Sequence, residues 1–179
     1  MNVSRGTIMK KYDVLIIGAG HAGVEAAIAS DRIGAKTALI SFKKSDLGVM
    51  SCNPAMGGLG KGHLIREIDA MGGVIGLASD HSGIQFRMLN RTRGEAVQGP
   101  RAQIDRDLYK ENIQRIVRNS GVELVEGEVR DIITERKSGN ESIIGVETCS
   151  QGKLYCKKLV ETTGTFLSGV IYRGKEKWK

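Results

Sequence analysis

Residues 12–23 read YDVLIIGAGHAG, an apolar run that leads straight into Gly18-x-Gly20-x-x-Gly23. Val14, Leu15, Ile16 and Ile17 make the short continuous apolar stretch expected of a parallel strand buried on both faces. The glycines have separate tasks. Gly18 permits the tight turn out of the strand, Gly20 lets backbone approach a pyrophosphate, and Gly23 lets the following helix pack closely. Free N–H groups and about half an elementary charge of helix dipole then face the phosphates. Ala19, His21 and Ala22 belong to the same turn, with His21 read as ordering it.

A glycine triplet alone is weak, and its flanks give it weight. Val24, Ala27, Ile28 and Ile33 recur at helical spacing, Gly34 stands where a C-cap glycine belongs, and Thr37 to Ser41 reads as a second strand. The acid that would hold a ribose hydroxyl about twenty residues beyond the glycines is missing. The strand ends Leu39-Ile40-Ser41-Phe42, with Asp46 the nearest acid. Ser41 is the polar substitute, so this segment alone leaves NAD and FAD both open.

A length of 179 residues suits about one domain. The 24 glycines cluster at turns between apolar segments and mark tight backbone geometry, with no collagen-like or disordered pattern. Cys52, Cys149 and Cys156 are an odd number without metal-ligand spacing, so neither a disulfide framework nor a metal site is expected. The start has no apolar signal-peptide core and no stretch nears the eighteen or so apolar residues of a membrane helix, so a cytoplasmic protein without membrane contact is expected. The net charge of +7 favours polyanionic partners without proving one. Arg87, Arg91, Arg93, Arg101 and Arg106 form one basic concentration and Lys157 to Lys179 holds another. Solvated faces and nucleic-acid contact are the two readings. With only 4% aromatic residues, phosphate contact is a better expectation than base stacking.

Residues 47–62, LGVMSCNPAMGGLGKG, tempt one toward a Walker A loop, but Ala55 stands at the first glycine and Gly62 at the magnesium-binding Ser or Thr. NTP hydrolysis is disfavoured. A loop without regular structure is expected there, free to lie against a flat ligand. Cys52, beside Asn53-Pro54, is either a reactive thiol facing that ligand or a small packed side chain. A helix is predicted from Gly62 to Met71 with Leu64, Ile65 and Ile68 on one face, and His63 and His81 read as hydrogen-bonding residues. Another is predicted from Gln103 to Asn119 with Ile104, Leu108, Ile116 and Val117 as its stripe. Asp105 and Asp107 favour its N-terminal turn, and Arg101 and Arg106 either pair with those acids or reach a phosphate.

Val122 to Val125 then reads as a parallel strand. Segments 128–135, 142–148 and 153–156 follow as a β-meander, and a strand over 158–164 ends in Thr163-Gly164, returning beside the glycine turn. This layout is α/β: a Rossmann-like FAD-binding fold, a parallel sheet with helices and an inserted antiparallel β-meander. A plain NAD dehydrogenase would place helices where the meander stands.

The chain resembles the MnmG (GidA) family, the tRNA uridine 5-carboxymethylaminomethyl modification enzymes. The resemblance is carried by IIGAGHAGVEAA at 16–27, MSCNPAMGGLGKGHLIREIDAMGG at 50–73, GIQFRMLN at 83–90, RAQIDR at 101–106 and TTGTFLSG at 162–169. Glu95 departs from the proline of the family's Gly-Pro-Ala-Val. The resemblance implies an enzyme that binds FAD, reduces it with NADH and uses methylenetetrahydrofolate to modify the wobble uridine of tRNA at C5. It also implies a homodimer with a GTPase partner of the MnmE type. Residues 1–11 are expected to be an N-terminal extension and 12–179 the FAD-binding domain, the N-terminal portion of a longer multidomain enzyme that does not turn over from this segment alone. Gly18 to Gly23 would cradle the pyrophosphate, Val129 would contact adenine through its backbone, and the Cys52–Asn53 loop would lie by the isoalloxazine. The arginines from 87 to 106 become candidates for tRNA. A folate- and FAD-dependent tRNA methyltransferase, another two-dinucleotide flavoprotein and a non-catalytic nucleotide- or RNA-binding module are the alternatives.

Overall fold

The computed structural model describes residues 10–165, 167 and 169–178. Most of the expected N-terminal extension, together with Phe166 and Ser168 of the TTGTFLSG motif and terminal Lys179, lies outside the described residues.

The apolar run forms strand β1, Lys11–Ile17, and the glycine turn feeds helix α1, His21–Arg32. Leu15 and Ile16 are fully buried on opposite faces of the sheet, each in its own core cluster. Burying such a side chain contributes about 2 kcal/mol. Gly34 follows α1 at φ +80°, the left-handed conformation that ends a helix. Ile33 departs from the expected stripe: it occupies the C-cap and is 83% exposed. Strand β2, Thr37–Ser41, is buried throughout.

The expected structureless loop contains a short strand, β3, Ala55–Gly57, before helix α2, Lys61–Ala70. Gly62, the buried residue of α2, packs near its start against Gly57 of β3. Ile65 and Ile68 are half-buried while Leu64 is exposed, against the predicted face. Helix α3, Ile75–Ser82, strand β4, Gly83–Leu89, and strand β5, Gly99–Ile104, follow. Gln103 and Ile104, predicted to open a helix, belong to β5 because Gln103 pairs with Ala55 and Gln85, and Ile104 with Gly83. Asp105 then caps helix α4, Arg106–Arg118, accepting from the N–H groups of Asp107 and Leu108. The buried stripe of α4 is Tyr109, Ile113 and Val117, at i, i+4 and i+8. Leu108 is exposed.

Strand β6, Glu123–Glu126, leads into strands β7, Val129–Lys137, β8, Asn140–Thr148, and β9, Gly152–Glu161. The last meander segment and the closing strand are therefore one strand. Nothing between Cys156 and Lys158 turns the chain, and the Lys157 ammonium is tied to Asp13 of β1 at 2.6 Å. The start of β9, Gly152 to Tyr155, pairs antiparallel with β8, while Tyr155 to Glu161 pair parallel with β1. The large sheet runs β6-β2-β1-β9-β8-β7, its first four strands parallel. A second sheet has the order β3-β5-β4. Strands β10, Ile171–Arg173, and β11, Glu176–Trp178, form a separate hairpin. β1 sends the chain to β2 on one side and meets β9 on the other, so the crevice at its carboxyl end is a topological switch point, where open α/β sheets bind ligands.

Candidate functional site

The glycine turn sits in that crevice. Gly18 has φ +100°, and a Cβ there would collide with the Thr162 carbonyl. A Cβ on Gly23 would run into the Gly18 carbonyl and come within 2.7 Å of Thr162 Oγ1. Gly18 and Gly23 are thus consumed by the protein's own packing. Gly20 is different. It caps α1 with ordinary extended dihedrals, φ −75° and ψ −170°, and a Cβ on it would meet nothing within 4 Å. The start of α1 has no side-chain cap and no acid in its first turn. Its leading N–H groups therefore face open space with the positive end of the helix dipole behind them.

The return of β9 is fastened by Thr162. Its Oγ1 donates to the carbonyls of Ile17 at 2.7 Å and Gly18 at 2.9 Å, and its N–H donates to Ile17 O at 2.9 Å. The sequence reading named Thr163 and Gly164, which follow this lock: Thr163 bonds Glu161 at 3.3 Å and Gly164 turns the chain at φ +79°. Thr162 was missed, although the pairing of Ile17 with Glu161 sets it beside Gly18. Ser41 is buried at the end of β2, and its carbonyl accepts from Gly127 at 2.8 Å. Val129 is partly buried and packs against the smaller core cluster. Ser41 and Val129 thus share the carboxyl-end edge of the sheet with the glycine turn.

His21, on the first turn of α1, shares a hydrogen bond of 3.2 Å between its Nδ1 and the hydroxyl of fully buried Tyr109, and the two rings meet edge to face. Burial first, then the charge of Lys61, holds the imidazole down to about 4, so His21 is neutral near pH 7. Burial, then the Glu25 carboxylate, pushes the Tyr109 hydroxyl up. Glu25 in turn caps α3, accepting from the N–H of Val74 at 2.9 Å and of Ile75 at 2.6 Å. One turn of α1 therefore ties the glycine loop to α3 and α4. Tyr109 lies 88 residues from His21, and no local pattern announces it.

Cys52 is exposed, which removes the packed-side-chain alternative. Two cations hold its loop by the backbone: Arg106 Nη2 donates to Cys52 O at 2.6 Å, and Lys61 Nζ to Ala55 O at 3.2 Å. Burial lowers the Lys61 ammonium from its ordinary value, the Cys52 charge opposing. The Asp pairing foreseen for Arg101 and Arg106 is not formed. Among the described residues no carboxylate lies within ion-pair distance of Arg87, Arg91, Arg93, Arg101 or Arg106. Arg91 and Arg93 occupy the β4–β5 loop, where Gln98 Nε2 donates to both their carbonyls, at 3.4 and 3.0 Å. His63 is exposed at the start of α2, and His81 is exposed in the last turn of α3. No helix among the described residues is long and apolar enough to cross a membrane.

A family model described as "Glucose inhibited division protein A" matches residues 13–179. The tRNA uridine 5-carboxymethylaminomethyl modification enzyme MnmG of Aliarcobacter butzleri is 48% identical over 169 residues, 94% of this chain and 27% of that protein. The enzyme of the same name from Granulibacter bethesdensis is 48% identical over 99% of this chain and 28% of its own length. The chain thus spans little more than a quarter of these curated relatives. A crystal structure of Aquifex aeolicus GidA superposes with a TM-score of 0.85 at 47% identity, covering 94% of this chain and 27% of that one. The flavin-dependent brominase Bmp2, at 24% identity and TM-score 0.59, covers 87% of this chain and 38% of that one, and shares the fold alone. Matched from Asp13 onward and nearly half identical to proteins of that name, the chain belongs to the GidA family.

Proposed function

We propose that residues 12–179 are the FAD-binding domain of a tRNA uridine 5-carboxymethylaminomethyl modification enzyme, with residues 1–11 an extension before it. The observation that carries the proposal is Gly20. The protein's own packing needs the other two glycines of the turn, whereas Gly20 is bare toward open space at an uncapped helix start. A pyrophosphate fits that cradle, and a methyl group on Gly20 would fill it. When bound, the flavin supplies the redox chemistry.

The chain's own residues do the positioning. The first turn of α1 holds the pyrophosphate, and His21, neutral, orders that turn through Tyr109. Ser41 and Val129 flank the adenosine end, and Thr163 and Gly164 border the crevice. The loop carrying Cys52 and Asn53 lies beside the isoalloxazine, with its exposed thiol available for chemistry. NADH and methylenetetrahydrofolate as co-substrates, a homodimer, a GTPase partner of the MnmE type and a cytoplasmic setting belong to the same reading. So does tRNA, with Arg87, Arg91, Arg93 and Arg101 as contacts and Arg106 spanning between them and the Cys52 loop. Titration of the folded chain with FAD, followed by flavin fluorescence, tests the cofactor. Saturable binding is expected, and a folded chain that ignores high FAD overturns the proposal.

A further inference from the structure

We propose that the outer face of the sheet β3-β5-β4 is a nucleotide-binding wall, on which Arg87 and Arg101 hold one RNA phosphate and Gln85 and Gln103 meet a base edge. The proposal rests on the tRNA reading above and gives it a site.

Side chains alternate across a strand, so one buried row assigns the faces. Met56, Ala102 and Phe86 form a cross-strand row, and Met56 and Ala102 are buried in the main core. The rows on either side therefore face away from that core. One is Gln103 and Gln85, with Ala55 buried at its β3 end; the other is Gly57, Arg101 and Arg87.

Arg87 and Arg101 stand directly opposite each other on paired strands. That places their Cβ atoms about 5 Å apart, and like charges so placed destabilise a sheet. No carboxylate relieves them within ion-pair distance among the described residues. A local conflict of this kind without internal compensation marks a functional site. Its remedy is an anion, and two planar guanidinium forks match the oxygens of a phosphate. Gly57 completes the row. Its backbone demands glycine, since φ is +103° and a Cβ would collide with the Pro100 carbonyl, and the consequence is a bare shelf beside the arginines.

The glutamine row lies two residues along the strands, about 7 Å away. Gln85 and Gln103 each bring an amide donor and acceptor, the complement of a base edge. Neither side chain is tied by a hydrogen bond to another described residue. This row is the one nearer Cys52, because β3 starts at Ala55 and Arg106, just beyond β5, clasps the Cys52 carbonyl. A nucleotide lying on the wall therefore has its base toward the Cys52 loop and its phosphate away from it.

Filter retention of bulk tRNA by the chain is measured between 50 and 200 mM salt, with an FAD titration on each protein. The Arg87→Gln/Arg101→Gln variant is expected to lose about tenfold in tRNA affinity and to flatten the salt slope by about 0.7 for the one phosphate released. The Gln85→Ala/Gln103→Ala variant is expected to lose affinity with an unchanged slope, since its contacts are uncharged. Both should bind FAD as the parent does. An arginine variant with the parental slope overturns the wall, as does one that loses FAD while keeping tRNA, because the anion is then the cofactor's. A parent chain that binds FAD and retains no tRNA also overturns it. One that binds neither overturns the proposed function itself.

Discussion

Acidification should destabilise this chain through His21. Its imidazole ordinarily titrates at 6.5 and is held down to about 4 in the fold, first by burial and then by Lys61. Protonation therefore favours the unfolded chain. The stabilisation from keeping His21 neutral is complete above about pH 6.5 and is lost as the pH falls from there through 4. At 1.36 kcal/mol per unit of pKa difference the full linkage is about 3 kcal/mol, of which about 2 kcal/mol disappears between pH 7 and 5. Urea unfolding of the parent and of His21→Gln at both pH values isolates this contribution, because the two proteins differ only at His21. The parent should lose about 2 kcal/mol more than the variant on going to pH 5. Parallel losses, within about 0.5 kcal/mol, would refute the assignment of a buried neutral imidazole.

Further outcomes follow from the same contacts. Tyr109→Phe leaves the cavity filled and removes the partner of His21 Nδ1, so urea unfolding should show a loss of about 1 kcal/mol. Glu25→Ala uncaps α3 at Val74 and Ile75 and should cost about 1–2 kcal/mol, with faster amide exchange at those two positions as the local signature. Gly18→Ala and Gly23→Ala force a Cβ into the Thr162 and Gly18 carbonyls, so each should destabilise by more than about 3 kcal/mol in thermal unfolding. Thr162→Val keeps the shape and deletes the donor to two carbonyls, so a loss of about 1–2 kcal/mol is expected.

The elements that local pattern specifies were legible: the apolar run of β1, the period of α1 with Gly34 behind it, β2, and the meander. The misread stretches are those decided by distant residues. Helix α3 contains Gly76 and is started by a carboxylate from α1, some fifty residues earlier. The i, i+4 spacing of Ile104 and Leu108 suggests a helix through Gln103 and Ile104, yet cross-strand pairing with Ala55, Gln85 and Gly83 makes them strand. The same division runs through the site. The glycines announce themselves because their spacing is a backbone requirement. Thr162, Tyr109 and Lys61 do not, since each acts only once the sheet has brought its partner near. Ile33 stands five residues beyond Ile28, about 140° round the helix from it, so it falls off the face of Val24, Ala27 and Ile28 and is solvent-exposed.

The central claim is that Gly20 is glycine for a ligand and not for the fold, and Gly20→Ala tests it most directly. Its dihedrals suit any residue and its Cβ position is empty, and the entropy that alanine removes from the unfolded chain is offset by its weakness as an N-cap, so the variant should be within about 1 kcal/mol of the parent in stability. Crowding of the pyrophosphate cradle by one methyl should nonetheless weaken FAD binding by about tenfold or more. Parental FAD affinity in a stable Gly20→Ala chain would contradict the placement of the cofactor on this turn.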